Sequence, residues 1–331
     1  MSRMVRAIIL ATFLLTTMVV ASTPAWSASG RGSLDGYTEA TSHGASFRTC
    51  SGIMGGADFV IAKPTTGSLE GISLTSPHDN ADLAHEFKGN NFNLSPRFWL
   101  GYVNQSGCGV RFRYWNYDHE LESEAATFGV PGVIALTNRG GLEVQAVDIE
   151  ATQQIELGRW NANVAAGLRV GHVAHDSNLN FDIFDSTIFD LHTRNSFDGV
   201  GPTIAAELRR RMGSSDLQFV VTGRGAFLFG TSTQTFACNQ NLDFTYLRNN
   251  GVEASLLPAA SMTVKRDQLI SVAELQFGLE WTKDLKSGAT VFVEGLFEGQ
   301  VWANTGGNHM TMTKSSDLGM VGFVFGAGIS R

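Results

Sequence analysis

Charge is scarce in this sequence, and long apolar segments are almost absent. Asp, Glu, Lys and Arg make up 17% of its 331 residues, against the ~25% usual for soluble domains. Beyond the N-terminus no apolar run reaches the ~20 residues that a membrane-spanning helix needs. With a formal net charge of −7, the chain also lacks the basic surface that attracts nucleic acid. Helical membrane proteins and nucleic-acid-binding proteins are therefore excluded.

Disorder is excluded as well, because 43% of the residues are hydrophobic and 10% are aromatic, enough to bury a large amount of surface. Glycine is plentiful, with 37 residues, while proline numbers seven and cysteine three. The mean hydropathy of −0.01 raises the question of how so apolar a chain avoids any continuous hydrophobic segment.

Motifs of catalysis are absent too. The sequence has no G-x-S-x-G, no H-E-x-x-H and no phosphate-binding loop. We therefore predict a protein that is not an enzyme, with no catalytic residues, no metal and no cofactor. A hydrolase with a loop-borne Ser/His or Asp/His pair is the open alternative.

Regular alternation of apolar and polar residues answers the question of hydropathy. Between Ala273 and Thr282 the odd positions are apolar and the even positions are polar or small. Period 2 places successive side chains on opposite faces of a β-strand. Ten segments are predicted as strands, although the first alternates poorly: 56–63, 95–104, 108–118, 142–156, 159–173, 197–212, 216–229, 268–285, 288–304 and 316–330.

Short and long connections alternate along the predicted strands. The short ones span two to three residues, such as Leu157-Gly158, and the long ones cover 64–94, 119–141, 174–196, 230–267 and 305–315. Short periplasmic turns and long external loops are typical of outer-membrane barrels. We therefore predict an all-β, closed antiparallel barrel of about ten strands. Residues 244–264 could add a further hairpin and raise the number to twelve.

The N-terminus predicts export. Arg3 and Arg6 precede an apolar segment, residues 7–21, and small residues follow it, as in a secretory signal peptide. We assign 1–27 to the signal peptide, 28–55 to a periplasmic segment and 56–331 to the barrel. Export permits disulfides, so Cys50 and Cys108, both predicted on the periplasmic side, could pair and leave Cys238 free.

The strand faces that carry charge are assigned to the lumen, since a charged side chain at the lipid midplane costs about 2–4 kcal/mol. Outer-membrane lipids are then the expected surroundings of the apolar faces. Six arginines and seven carboxylates are predicted to line the lumen: Arg97, Arg111, Arg113, Arg169, Arg209, Arg224, Asp148, Glu150, Glu207, Glu274, Glu280, Glu294 and Glu298.

These charges permit two interpretations. They could line a narrow path for ions or small solutes, or they could lock the lumen through paired Arg–carboxylate contacts. Ten strands enclose little more space than eight, whose side chains nearly fill the interior. A pore and a plugged barrel that contacts partners through its loops therefore both stay open, as does the oligomeric state.

Several segments, in order, resemble pore-forming outer-membrane proteins of the Legionella major outer membrane protein type, with related planctomycete barrel porins. The resemblance covers about residues 56–330 and is carried by 98–102, 110–115, 148–152, 197–202, 275–281, 292–302 and 317–323. It implies an outer-membrane barrel with pore-forming activity and brings no catalytic residues. One departure is the terminal Ile329-Ser330-Arg331, where outer-membrane strands commonly end in an aromatic residue.

Overall fold

The computed structural model describes residues 51–66, 74–75, 82–83, 91–121, 125–128, 134–183, 186–240, 260–306 and 316–331. Every regular element in these ranges is a β-strand. In chain order they are β1 (Gly52–Thr66), β2 (Leu74–Thr75), β3 (Asp82–Leu83), β4 (Asn93–Val103), β5 (Cys108–Leu121), β6 (Ala125–Phe128), β7 (Ile134–Leu157), β8 (Trp160–Ile183), β9 (Ser186–Arg211), β10 (Leu217–Gln240), β11 (Ala260–Asp284), β12 (Thr290–Gly306) and β13 (Ser316–Ser330). None of the described segments is a helix long and apolar enough to cross a membrane.

Ten of these strands close into an antiparallel barrel, which confirms the predicted fold class and the lower strand number. The order around the barrel is β1, β4, β5, β7, β8, β9, β10, β11, β12 and β13, and β13 pairs again with β1. Closure is completed by two backbone hydrogen bonds of 2.9 Å between Ile53 and Arg331. Because the sheet is closed, no strand edge with unpaired backbone groups faces lipid, as a membrane-spanning sheet requires.

The first strand begins at Gly52, four residues before the predicted start of the barrel. Its alternation is weak in the sequence because both of its faces carry apolar residues. Phe59 points outward and is half exposed, whereas Val60 points inward and is buried.

The four short turns all lie at one end of the barrel. The first residues of β1 and the last residues of β13 lie at the same end. Each turn contains a glycine with positive φ: Gly107, Gly158, Gly213 and Gly288. Glycine adopts this left-handed conformation without the steric cost that a Cβ brings, so the chain can reverse within a few residues.

Strands β7 to β11 are 24 to 26 residues long, while the other five barrel strands have 11 to 17. One wall of the barrel is therefore much taller than the other. Two predicted long loops, 174–196 and 230–267, contain strand residues of this wall: β8 runs to Ile183, β9 restarts at Ser186, β10 runs to Gln240 and β11 begins at Ala260. The loop prediction is wrong for these strand residues because both faces of the upper strands carry polar side chains, so alternation disappears although the backbone ladder continues.

The alternative of twelve barrel strands is wrong, because ten strands close the barrel. Residues 261–264 belong to β11 and pair with β10, where Met262 lies opposite Phe236. The other half of the suggested hairpin, residues 244–247, lies outside the described residues.

The outward face carries the apolar half of each alternating segment. On β11, Leu275, Phe277, Leu279 and Trp281 are 43–52% exposed. Corresponding exposed residues are Phe98 and Leu100 on β4 and Phe323 and Phe325 on β13. An apolar surface of this extent is stable when lipid covers it.

Candidate functional site: the charged layer of the lumen

The structure places all thirteen charged residues assigned to the lumen on inward faces of the barrel strands. Twelve of them form ion pairs with one another, most of them between strands that are not neighbours in the sheet. The exception is Glu294, and a fourteenth inward charge, Asp58, joins the set. We call these fourteen residues the charged layer.

Arg97 on β4 and Glu298 on β12 form one bidentate pair. Nη2 of Arg97 donates to Oε1 at 2.6 Å, and Nη1 donates to Oε2 at 2.8 Å. β1 and β13 lie between the two strands in the sheet, so the pair reaches across the lumen. Gln276 Nε2 also donates to Glu298 at 2.6 Å, which holds the carboxylate in place.

Asp148 and Glu274 form the centre of the charged layer, with three guanidinium groups around them. Arg169 donates to both oxygens of Asp148 at 2.6 and 2.9 Å and reaches Glu274 Oε1 at 2.5 Å. Arg113 lies 3.1 Å from Glu274 Oε2, and Arg224 lies 3.6 Å from it. Each of these side chains is at most 10% exposed, so buried charges compensate one another here.

A third group lies towards the short-turn end and is more open. Arg111 lies 2.9 Å from Glu150 and 3.6 Å from Glu207. Arg209 contacts Glu207 and lies 3.1 Å from Glu280. The side chains of Arg209 and Arg111 are 29% and 14% exposed, so this end of the charged layer meets solvent.

An apolar layer fills the lumen on the side of the long loops. Its largest members, each at most 2% exposed, are Trp115, Tyr117, Phe197, Leu228, Ile270 and Trp302. The expectation that inward faces are polar is therefore wrong for this half of the barrel. Ten strands enclose a lumen narrow enough for facing side chains to pack together, so apolar residues bury one another there as they do in a protein core.

One polar chain connects the layers, and a second contact satisfies another buried tryptophan. Trp302 Nε1 donates to Gln300 Oε1 at 3.1 Å, and Gln300 in turn donates to Glu298. On the opposite wall Trp115 Nε1 donates to Ser95 Oγ at 3.0 Å. The polar atoms of the buried tryptophans are thus satisfied.

Asp58 is the site residue that sequence reasoning missed. The signal was present, since Asp58 has the same parity as the inward Val60 and Ala62 on β1. It was obscured because those two neighbours belong to the apolar layer and look like lipid-facing residues in the sequence.

The predicted disulfide involves one residue outside the described ranges, Cys50. Cys108 lies exposed at the first short turn, and its Sγ is 2.7 Å from Gln153 Oε1. Cys238 is a buried free thiol on β10. The pairing of Cys50 with Cys108 stays a prediction.

Comparison with solved structures returns outer-membrane barrels. The outer membrane protease OmpT from Escherichia coli aligns over 84% of this chain and 93% of its own, with 9% identity and a TM-score of 0.37. The toluene transporter TbuX from Ralstonia pickettii aligns over 85% and 90%, with 7% identity and a TM-score of 0.27. A search of curated proteins gave no match.

Residues 56–330 match the protein-family model described as Legionella pneumophila major outer membrane protein precursor. The matched range covers all ten barrel strands except the first residues of β1. The match agrees with the lipid-compatible outer face and places the protein in the outer membrane.

Proposed function

We propose that this chain, which belongs to the Legionella pneumophila major outer membrane protein family, is a channel that lets ions or small solutes cross the outer membrane. The charged layer lines the path, and the apolar layer is its narrowest part. Transport is passive in this proposal, and the chain catalyses no reaction and needs no cofactor.

The observation that carries the proposal is the retention of fourteen charged groups inside a narrow barrel. A buried ion pair is often less stabilising than apolar side chains of similar volume. The apolar layer of the same barrel demonstrates that such packing is available in this lumen. Charged side chains inside the lumen therefore lower stability relative to apolar packing. Their presence supports a role in the passage of polar solutes rather than in stability alone.

A plugged barrel that contacts partners through its outer end is the second candidate. Two observations favour it: the tightly packed apolar layer and the tall wall formed by β7 to β11. Under this candidate the charged layer only holds the barrel walls together.

Conductance of the purified, folded protein in planar lipid bilayers distinguishes the two. We expect discrete channel events, and in the double variant R111Q/R113Q we expect ion selectivity to shift towards cations, because two lumenal positive charges are lost. K283Q, which removes an exposed charge near a short turn outside the lumen, serves as the control. Absence of channel events from folded protein would refute the channel, and unchanged selectivity would refute the lumenal path past Arg111 and Arg113.

A further inference from the structure

Two inward carboxylates, Asp58 and Glu294, stand apart from the ion-pair network of the charged layer. All six guanidinium groups of that layer pair with the other six carboxylates. Among the described residues, no guanidinium or ammonium group lies within ion-pair distance of Asp58 or Glu294. Within the charged layer eight carboxylates therefore accompany six guanidinium groups, and the two carboxylates without an ion pair are Asp58 and Glu294.

Asp58 and Glu294 face each other across a glycine. In the sheet Gly326 on β13 lies opposite Asp58 on β1 and opposite Glu294 on β12. A Cβ placed on Gly326 would lie 2.6 Å from Asp58 Oδ1 and 2.9 Å from Glu294 Oε1. The two oxygens are therefore separated by at most the sum of 2.6 and 2.9 Å, or 5.5 Å.

Asp58 is buried, with 6% exposure, and its Oδ1 has no hydrogen-bond partner. A buried ionised oxygen without a partner is costly. The nearest guanidinium in the register is Arg97, opposite Asp58 on β4, but its two Nη atoms are bound to Glu298. On the other side, Arg209 is bound to Glu280 and Glu207.

A stacked aromatic pair borders the two carboxylates on the short-turn side. The rings of Trp99 and Phe292 lie 5.9 Å apart at an angle of 20°, and they approach Gly56 and Gly328. These two glycines are each two residues from Asp58 and Gly326, on the same inward faces. The pair thus lies between the carboxylates and the nearer mouth of the lumen.

We propose that Asp58 and Glu294 bind a divalent, calcium-sized cation over Gly326. Calcium takes oxygen ligands at about 2.3–2.6 Å, so two oxygens that share one ion lie at most about 5.2 Å apart. The upper limit of 5.5 Å between Asp58 Oδ1 and Glu294 Oε1 places them within a few tenths of an ångström of that range or inside it. Its double charge matches the two carboxylates of the charged layer that form no ion pair, and water supplies further ligands. The proposal concerns binding to the folded barrel and holds whether or not the lumen conducts.

Calcium alone is the probe. The purified full-length protein is prepared in detergent at pH 7.5, free of lipopolysaccharide and treated with a chelator. It is then titrated with CaCl₂, and thermal unfolding is followed by heat-modifiable gel mobility. We expect about one bound ion per barrel by isothermal titration and a midpoint rise of roughly 5 °C or more near saturation. D58N and E294Q should lose at least tenfold in calcium affinity and most of the rise.

Glycine substitutions provide a second measurement that leaves the carboxylates in place. G326A puts a methyl group at the point that both oxygens flank and should abolish the calcium-dependent rise. G299A, on β12 with no atom within 4 Å of the added methyl, should keep it. Since E294Q preserves the shape of the side chain, its folded state can be verified without calcium.

Three outcomes overturn the proposal. The wild-type protein could show no calcium-dependent rise, as expected if the two carboxylates share a proton instead. The rise could be equal in wild type, D58N and E294Q, which would place the calcium elsewhere. Magnesium could reproduce the full effect at the same concentration, which would indicate screening of charge rather than a calcium-sized site.

Discussion

Arg113 and Glu274 meet in the middle of the barrel, with Nη1 and Oε2 3.1 Å apart, although their strands stand on opposite walls. β5 and β11 are five positions apart in the closed order of ten strands. A direct contact over that separation means that side chains span the full width of the lumen at this level.

Glu274 also accepts a hydrogen bond from Arg169 and lies near Arg224, so its neutralisation leaves three guanidinium groups short of a partner. We expect E274Q to lower the free energy of unfolding by about 3–5 kcal/mol, the cost of breaking a buried pair. Urea unfolding of the barrel in detergent or vesicles measures this difference.

The control for E274Q is K283Q, which breaks the exposed Lys283–Asp216 pair of 3.3 Å. Exposed pairs contribute about 0–1 kcal/mol, so this variant should unfold close to wild type. Equal effects of the two variants would contradict a buried network.

The outward face of β11 tests the position of the membrane. Leu275 is 52% exposed in the apolar band, and L275R should cost about 2–4 kcal/mol in a bilayer because the charge faces lipid. Thr263 lies on the same strand beyond that band and is exposed, so T263R should cost almost nothing. Folding equilibria in vesicles compare the two variants, and similar costs would show that the band is wrongly assigned.

Trp302 tests whether the apolar layer closes the lumen. Its side chain is fully buried, and W302A should cost about 3–5 kcal/mol in stability. In the proposed channel this variant should also raise single-channel conductance, because it removes one of the two tryptophans that are the largest side chains of the layer. W281A, which removes an outward tryptophan that is 44% exposed, should leave conductance unchanged; a rise in W281A alone would contradict the assignment.

Gly201 tests how closely the strands approach one another. An alanine Cβ at this inward position of β9 would lie 1.7 Å from the Phe227 carbonyl oxygen, so G201A should prevent the folded, heat-modifiable form or strongly reduce its yield. Gly223 on β10 has no atom within 4 Å of such a Cβ, and G223A should fold like wild type. Equal yields of the two variants would show that β9 and β10 can shift without cost.

The sequence alone was sufficient to predict the antiparallel barrel and to place its charged residues on the inner face. Period-2 alternation from Ala273 to Thr282 determines which side chains of β11 point the same way, because a strand has no other periodicity. Lipid cannot accept charge at low cost, so the charged face had to be the inner one. The short, glycine-containing turns determined which end of the barrel carries the short connections.

Tertiary structure alone decided how the interior is used. Whether Arg113 pairs with Glu274 depends on the curvature and stagger of ten strands, which no local pattern contains. The same is true of Trp302 and Phe197, whose apolar character is equally compatible with lipid and with a packed lumen. The tall wall from β7 to β11 could not be predicted because strands with polar residues on both faces show no alternation. Only the pairing with a neighbouring strand identifies these residues as strands.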